Sequence, residues 1–498
     1  MALVVLCLPV FNPDLFWHLS AARWILIHGK IPRTDVLSFT LYGAPWIDFE
    51  WGTQLFWYGV NLVTGLWGLW VLKGLLLIGA FYPVDGLLRE KGASDAARAG
   101  ALTLWLAAML AQTDLRADLT SVMFFAIVLR RLELRRASFL FGFGLFALWA
   151  NIHGGFILAF GLYALAAVAA PQAGLAAEAT GAVLGTLVNP YGAGIYRALF
   201  YHASEPTVRA VMEWLPPSGH NPFQAPLILA MLLVLGLAWK GRRASKFLLG
   251  AALATLCASA MTARFGAYFA AAGTMFVFSA FPRPRAAFIA LGLAAMSALL
   301  YPIRVRLHDR PFNDFIVARR AVNFVARERR ALQPLRMFNQ YEWGGYLGWR
   351  LGEDGLVFGD GRYLFTTQLP EINAALTSAE NLAGFAARRR LDGFLIKNLE
   401  TKFPSTRVYP DGTKRQFDRP WYITYLPRQR WALVYWDEQA LVFVDRAKVP
   451  ADWLSAHEYR WVLPGDEAAR EDALRRGEIP RLAFSAENVR HHYEVQVK

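Results

Sequence analysis

Charged residues and cysteines are scarce in this chain of 498 residues. Asp, Glu, Lys and Arg together make up 18% of the sequence, whereas soluble proteins usually carry about a quarter. The two cysteines, Cys7 and Cys257, both lie in apolar runs, which excludes a disulfide-stabilised scaffold. Hydrophobic residues reach 55%, which excludes a disordered chain. This composition is typical of a membrane protein with many spans.

The charges that are present are mostly positive. The chain has 52 Lys and Arg against 38 Asp and Glu, a formal net charge of +14. Nucleic-acid-binding proteins show such an excess, but membrane proteins also collect Lys and Arg in cytoplasmic loops as topology signals. We therefore expect contacts with membrane lipids and predict no nucleic-acid partner.

Apolar runs with few charges recur up to residue 303 and predict about 11 membrane helices. The predicted spans lie near residues 1–11, 60–82, 97–112, 118–131, 138–150, 155–171, 176–188, 225–239, 246–261, 264–281 and 286–303. Several are shorter than the roughly 20 residues that a bilayer crossing needs, so their order is better defined than their ends. The first run lacks the features of a signal peptide and is too short to cross, so its helix begins upstream or is completed by polar flanks.

The residues after 303 have a different pattern, with dense charge and no apolar run long enough to cross a membrane. Strand-like runs alternate there with helical patterns, which predicts a soluble α/β domain over residues 304–498. The strand-like runs lie at 355–358, 393–396, 432–435 and 440–444, and the helical patterns at 312–332 and 371–390. The stretch 402–420, rich in Pro, Gly and charge, is typical of a surface loop.

Three basic loops, at 130–136, 240–246 and 283–285, predict the orientation in the membrane. The predicted spans place all three on one side, which is then cytoplasmic. The opposite side receives the loop 12–55 and the C-terminal domain. Most acidic residues of the membrane domain fall at or near this external face, where carboxylates are costly and usually functional or paired. They are Asp14, Asp35, Asp48, Glu50, Asp114, Asp118, Glu205 and Glu213.

The external loop 12–55 carries the most informative residues. Pro13 favours a helix start, and Asp14 near that start is stabilised by the helix dipole. Asp14 and His18 are four residues apart and share one face of a helix. The pair could hold a metal ion or place a base beside the group that orients it. Alternatively, Asp14 caps the helix and His18 lies in the membrane interface.

The same loop contains Pro-Asp-x-x-Trp-His-Leu, His-Gly-x-Ile-Pro-x-x-Asp and Trp-x-x-x-Glu-Trp, beginning at Pro13, His28 and Trp46. This order resembles the bacterial GT-C membrane glycosyltransferases, which are related to protein mannosyltransferases and oligosaccharyltransferases. Further similar motifs lie at 148–155, 188–192, 213–214, 264–265, 338–347 and 357–362. The resemblance covers most of the chain. It implies a GT-C fold in a bacterial inner membrane, with the C-terminal domain in the periplasm.

Enzymes of this group use sugars linked to polyprenyl phosphate. The resemblance therefore implies inverting transfer of a sugar from such a donor to a glycan, lipid or protein acceptor on the external face. The catalytic acid of the family maps onto Asp14. Two departures are present: Leu15 stands where protein mannosyltransferases have a second acid, and Ala117 follows Arg116 where related sequences usually have proline. The first departure leaves the substrate and the metal dependence open.

The chemistry of such a transfer suits these residues. A carboxylate must deprotonate the acceptor hydroxyl, and a cation must assist the departing phosphate. We expect Asp14 to be the base, and Asp48 or Glu50 to bind the sugar hydroxyls or a divalent cation, Mg²⁺ or Mn²⁺. Arg116 and Arg264 lie at external helix ends, where their guanidinium groups match phosphate oxygens. Alternatively, these arginines extend towards lipid headgroups.

Six further residues are predicted to contact the substrate. Trp17 and His18 lie beside Asp14, and Asn151 and His153 occupy a Gly-flanked break that either lines a cavity or forms an internal hydrogen-bonded turn. The pair Glu213-Trp214 suits sugar binding, although a Trp is also common at a membrane interface.

In the outer domain, two motifs begin at Glu342 and Asp360. They form either tight turns with an Asp–Arg pair, through Arg362, or a surface that shapes the acceptor side.

Two other functions fit parts of the pattern. A lipid-linked-sugar transporter or flippase would place ionisable residues near the bilayer midplane, where the sequence shows few. A catalytically silent GT-C-fold protein for binding or assembly is favoured by the missing second acid after Asp14.

Overall fold

The computed structural model describes residues 8–207, 214–283 and 311–497, which form two compact units. The first unit comprises Met1–Leu15, Ala21–Arg33 and Trp46–Asn313. The second comprises Phe16–Ser20, Thr34–Pro45 and Asp314–Lys498. The predicted span 286–303, most of the span 1–11 and the predicted domain boundary at 303 lie outside the described residues.

The first unit is helical. Its helices are α1 (Leu15–His28, shared with the second unit), α2 (Trp51–Glu90), α3 (Asp95–Met109), α4 (Asp118–Glu133), α5 (Phe139–Trp149), α6 (Phe156–Ala169), α7 (Leu175–Thr186), α8 (Ile195–Ser204), α9 (Ala225–Gly241), α10 (Lys246–Met261) and α11 (Gly266–Ala280). Each predicted span between residues 60 and 281 coincides with one of these helices. Gly65, with a φ of +62°, divides α2 into two helical segments.

The surface of these helices identifies their environment. Helix α2 is long and apolar enough to cross a membrane, and α5, α6, α9 and α10 are shorter apolar helices. Large apolar side chains are exposed on them, among them Val63 and Val168, each 85% exposed, and Trp239. Apolar patches of this kind pack against lipid rather than water. The chain is therefore an α-helical membrane protein, and the number of crossings stays a prediction.

One end of the helical unit collects the basic loops. Lys91, after α2, pairs with Glu133 at the end of α4 at 2.7 Å, and Ser245 before α10 donates to the same carboxylate. The Ser94 amide before α3 donates to the Pro282 carbonyl after α11. The prediction that the basic loops share one side agrees with these contacts.

Helices α5 and α7 approach each other through glycines. A Cβ atom at Gly142, Gly181 or Gly185 would overlap a backbone carbonyl oxygen of the other helix. Small residues are the usual means of close helix packing in membranes, where burial of apolar surface supplies little driving force.

The second unit contains a four-stranded sheet and surrounding helices. The sheet consists of β1 (Met337–Asn339), β2 (Gly393–Lys397), β5 (Trp431–Trp436) and β6 (Ala440–Asp445) in the order β1-β2-β6-β5. Strands β1 and β2 are parallel, and the other pairs are antiparallel. The helices are α12 (Arg319–Arg327), α13 (Arg329–Leu332), α14 (Gly344–Leu351), α15 (Leu369–Ala375), α16 (Ala379–Arg389), α17 (Trp421–Tyr425), α18 (Ala451–His457), α19 (Glu467–Arg475) and α20 (Arg481–His492).

Two local predictions for this unit were wrong. The stretch 402–420 is an antiparallel ribbon, β3 (Lys402–Val408) and β4 (Lys414–Pro420), because Gly412, with a φ of +80°, closes a tight turn. The run 355–358 is not a strand of the sheet. Its Val357 instead exchanges backbone hydrogen bonds with residues 37–39.

Candidate active site

Four carboxylates and one arginine converge at the end of the first unit opposite the basic loops. Glu50 precedes α2, and Asp118 begins α4. The pKa of Glu50 is raised to about 8, mainly by burial and next by the charge of Asp48; Arg264 lowers it, while Asp14 and Asp118 raise it. The other four groups therefore each lie within electrostatic reach of Glu50. The structure brings together the predicted residues Asp14, Asp48, Glu50 and Arg264, and adds Asp118.

The backbone around Asp14 is fixed by the loop before α4. The Phe11 amide donates to both Asp114 carboxylate oxygens at 3.1 and 3.0 Å, and Asn12 Nδ2 donates to the Leu115 carbonyl at 3.0 Å. The Asn12 side-chain oxygen accepts the Asp14 amide at 3.1 Å. Asp14 is thus held at the start of α1 by contacts that leave little freedom to its main chain.

Arg116 and Lys73 lie near this anchor. Burial raises the pKa of Asp114, while the positive charges of Arg116 and Lys73 oppose that rise. Lys73, fully buried within α2, donates to the Leu8 and Pro9 carbonyls. Lys73 could not be singled out from the sequence, because its partners are backbone carbonyls distant in the chain.

Asp48 is held by two residues that the prediction missed. Gln54 Nε2 donates to Asp48 Oδ1 at 2.6 Å. The Asp48 amide donates to the Tyr191 hydroxyl at 3.0 Å, and that hydroxyl donates to the Pro32 carbonyl at 2.8 Å. The turn at 189–192 therefore fixes the loop that carries Asp48.

His153 lies beside Glu50, with 3.7 Å between its Nε2 and the Glu50 Oε1. The Gly155 amide donates to His153 Nδ1 at 3.0 Å, so Nδ1 is the unprotonated nitrogen and Nε2 carries the proton that faces Glu50. Ser121 Oγ lies 2.8 Å from the same Nδ1 and accepts Trp149 Nε1 at 2.7 Å. Ser121 was not predicted, because nothing in the sequence of α4 distinguishes it.

Asn151 forms the internal hydrogen-bonded turn that was one of the two alternatives for the Gly-flanked break after α5. Its Oδ1 accepts the Trp51 indole at 2.9 Å, and its Nδ2 donates to the Ala147 and Val188 carbonyls, each at 2.7 Å. The Gly52 amide donates to the Asn151 carbonyl at 2.9 Å. Asn151 thereby fixes the first residues of α2, directly after Glu50.

Arg264 and Trp214 are in contact. The guanidinium carbon of Arg264 lies 5.2 Å from the centre of the Trp214 ring, a cation–π arrangement. The Trp214 ring also meets Phe265 edge to face, and the Ala263 amide donates to the Leu215 carbonyl. Glu213 lies outside the described residues.

Trp17 and His18 belong to the second unit and are both buried. Their rings stack with centroids 3.7 Å apart, and burial lowers the pKa of His18 to about 3, which keeps the imidazole neutral. Among the residues that the structure describes, no three His, Cys, Asp or Glu side chains are grouped as metal ligands. The metal pair Asp14–His18 stays a prediction.

The motif at 360–362 forms the predicted Asp–Arg pair and includes a third residue, Asp35. Arg362 Nη1 donates to Asp35 at 2.7 Å, and Arg362 Nε donates to Asp360 at 2.8 Å. All three side chains are buried, and burial raises the pKa of Asp360 although Arg362 opposes it. Glu342, by contrast, pairs with Lys397 at the surface at 3.1 Å.

No protein-family model matches the chain, and no curated protein sequence matches it. The apo oligosaccharyltransferase of Archaeoglobus fulgidus is similar in structure, with a TM-score of 0.55 and 12% identity over 95% of this chain and 82% of that chain. AglB from Archaeoglobus fulgidus, in complex with an inhibitory peptide and a dolichol-phosphate, is similar with a TM-score of 0.54 and 12% identity. This similarity covers 90% of this chain and 77% of that chain. For ArnT from Cupriavidus metallidurans, bound to undecaprenyl phosphate, the TM-score is 0.46 and the identity 14%. The match covers 89% of this chain and 96% of that chain.

The two oligosaccharyltransferase similarities cover nearly the whole chain. They confirm the fold that the resemblance implied, since the chain shares the fold of these two oligosaccharyltransferase structures. This fold is an α-helical membrane domain with a soluble C-terminal domain.

Proposed function

We propose that this protein is a membrane glycosyltransferase that moves a sugar from a polyprenyl-phosphate-linked donor to a glycan, lipid or protein acceptor. The observation that carries the proposal is the convergence of Asp14, Asp48, Glu50, Asp118 and Arg264 at one end of a GT-C-type helical domain. The similar oligosaccharyltransferase in complex with a dolichol-phosphate supports a lipid-phosphate donor.

The residues divide the chemistry between them. The Asp14 carboxylate takes the proton of the acceptor hydroxyl, whose oxygen attacks the anomeric carbon of the donor sugar. The bond from that carbon to the phosphate oxygen breaks, and the lipid phosphate leaves with the bonding electrons, which inverts the anomeric centre. Arg264 and Arg116 stabilise the charge of the departing phosphate.

The other predicted residues bind or position the sugar. Asp48 and Glu50 accept hydrogen bonds from sugar hydroxyls, and Trp214 offers an aromatic face beside Arg264. Trp17, His18 and Glu213 remain proposed cavity residues. Asn151 and His153 act as positioning residues, since their described contacts hold the start of α2 and Glu50.

A divalent cation fits Asp48 and Glu50 if oxygen atoms of the substrate complete its coordination. Mg²⁺ at phosphate sites commonly takes one or two carboxylates together with substrate oxygens, so a group of three protein ligands is not required. Asp48 and Glu50 would hold Mg²⁺ or Mn²⁺, and the cation would neutralise phosphate charge.

We further propose that the carboxylates face the periplasm of a bacterial inner membrane, with the C-terminal domain on the same side. The support is the collection of basic loops at the other end of the helical unit, because Lys and Arg accumulate on the cytoplasmic side.

Supplying the purified full-length protein with a polyprenyl-phosphate sugar in proteoliposomes tests this function. We expect release of polyprenyl phosphate and appearance of the sugar on an acceptor. Passage of the intact lipid-linked sugar between leaflets without release would instead identify a flippase. Binding with neither outcome would identify a silent GT-C-fold protein.

A further inference from the structure

The second unit contains a cavity of about 420 Å³ lined mainly by arginine residues. Its lining residues are Thr40, Arg336, Arg388, Arg389 and Arg390, which we call the arginine pocket. All five belong to the second unit. Pockets of this size commonly admit small ligands, and a lining of four arginines selects for anions.

The ordinary role of arginines at a helix end explains only part of this cluster. Arg388 and Arg389 lie in the last turn of α16, where positive charge is favoured by the helix dipole. Both donate to the carboxylate of one acid, Glu371: Arg388 through Nη2 at 3.4 Å and Arg389 through Nε at 3.1 Å. Within the described part of the chain, no carboxylate lies within ion-pair distance of Arg336 or Arg390. Positive charge therefore exceeds what the surrounding protein neutralises.

Arg390 occupies a backbone conformation that suits glycine better. It follows α16 with a φ of +51°, in the left-handed region where a side chain is strained. A left-handed residue is common directly after a helix, but glycine is the usual choice there. An arginine at this position places a fourth guanidinium at the pocket.

Arg336 is already ordered for binding. Its guanidinium lies over the Phe39 ring at 4.5 Å, and its Nη2 donates to the Arg389 carbonyl at 3.4 Å. Its Nε is buried and has no hydrogen-bond partner among the described residues. This covered Nε is out of reach of a ligand, so the N–H groups that an anion in the pocket can meet are those on the Nη atoms of Arg336.

We propose that the arginine pocket binds a phosphate-bearing anion. A guanidinium fork matches two phosphate oxygens at once, and several arginines together suit a phosphodiester or a pyrophosphate better than a single carboxylate. The phosphate belongs either to a lipid headgroup or to a soluble molecule. This site goes beyond the proposed glycosyl transfer, which uses carboxylates of the first unit.

Calorimetric titration of the full-length protein in uncharged detergent with inorganic pyrophosphate tests the proposal. We expect saturable binding that weakens at least tenfold in Arg336→Gln and in Arg390→Gly. Because Arg390→Gly also relieves backbone strain, its Tm should equal or exceed that of the wild type, so its loss of affinity cannot be ascribed to misfolding. Arg475→Ala, at the end of α19 and outside the pocket, is the matched control and should bind normally.

Nanodiscs distinguish the two phosphate sources. If phosphatidylglycerol nanodiscs weaken pyrophosphate binding relative to phosphatidylcholine nanodiscs in the wild type, the occupant is a lipid headgroup. If the two lipids give equal affinities, it is a soluble phosphate compound, and the proposal stands in both cases. Equal pyrophosphate affinity in the wild type, Arg336→Gln and Arg390→Gly would overturn it.

Discussion

Arg362 lies between the buried carboxylates of Asp35 and Asp360, and nearly all of its surface is covered. Removing the guanidinium would leave two buried, unpaired carboxylates. We predict that Arg362→Met lowers the free energy of unfolding by about 3–5 kcal/mol. Arg320, which pairs with Glu438 at the surface, is the control, and Arg320→Met should cost less than about 1 kcal/mol. Thermal unfolding of the two variants measures the difference, and equal Tm values would contradict a structural role for the triad.

His153 presents its Nε2 proton to Glu50 because Gly155 and Ser121 hold its other nitrogen. We predict that His153→Gln lowers the rate of sugar transfer by at least about tenfold and that Ser121→Ala lowers it less, because both disturb the position of Glu50 rather than the reacting atoms. The readout is the rate of lipid-phosphate release at saturating donor.

Ser259 supplies the control for that series. It is also buried in a helix, but its hydroxyl donates only to the Thr255 carbonyl of the same helix among its described contacts. Ser259→Ala should transfer sugar at the wild-type rate. A Ser121→Ala rate equal to the wild-type rate would remove Ser121 from the positioning chain.

The close approach of α5 and α7 depends on particular glycines. At Gly142 a methyl group would overlap the Glu178 carbonyl, whereas at Gly144 on the same helix nothing lies within 4 Å. We predict that Gly142→Ala destabilises the protein by about 1–3 kcal/mol through overpacking. Gly144→Ala should be neutral or stabilising by up to about 1 kcal/mol, because alanine favours the helix. Thermal unfolding in detergent compares the pair, and the reverse order would contradict the observed packing.

The helices of the first unit could be predicted because long apolar runs leave few alternatives to a membrane helix. The ribbon of β3 and β4 could not, since its polar strands carry no apolar alternation and its order comes from cross-strand bonds closed at Gly412. The short run 355–358 was misassigned for a related reason. Its apolar residues are those of a strand, but Val357 pairs with residues 37–39, a partner that a local pattern does not specify.

The candidate site likewise contains residues that could be predicted from the sequence and residues that could not. Asp14, Asp48 and Glu50 could be selected because acids are rare in such a chain and these lie in one loop. Gln54 and Ser121 could not, because each acquires its partner only when distant helix ends meet.

The proposed function requires one orientation of the protein in the membrane, with the carboxylates on the external face. In a background lacking Cys7 and Cys257, we predict that Thr406→Cys, on the exposed ribbon, reacts with a membrane-impermeant maleimide in intact spheroplasts. Ala96→Cys, exposed near the basic loops, should react only after lysis. The opposite labelling pattern would place the carboxylates in the cytoplasm.

In the proposed mechanism Asp14 takes the acceptor proton during sugar transfer, and the rate of polyprenyl-phosphate release by Asp14→Asn measures that role. The proposed mechanism predicts a fall of about 10²- to 10⁴-fold in the rate, with an unchanged Tm. Asp95→Asn is the matched control, because Asp95 begins α3 at the other end of the helical unit, and it should release lipid phosphate at the wild-type rate. An Asp14→Asn protein that turns over at the full rate would contradict the assignment of the base.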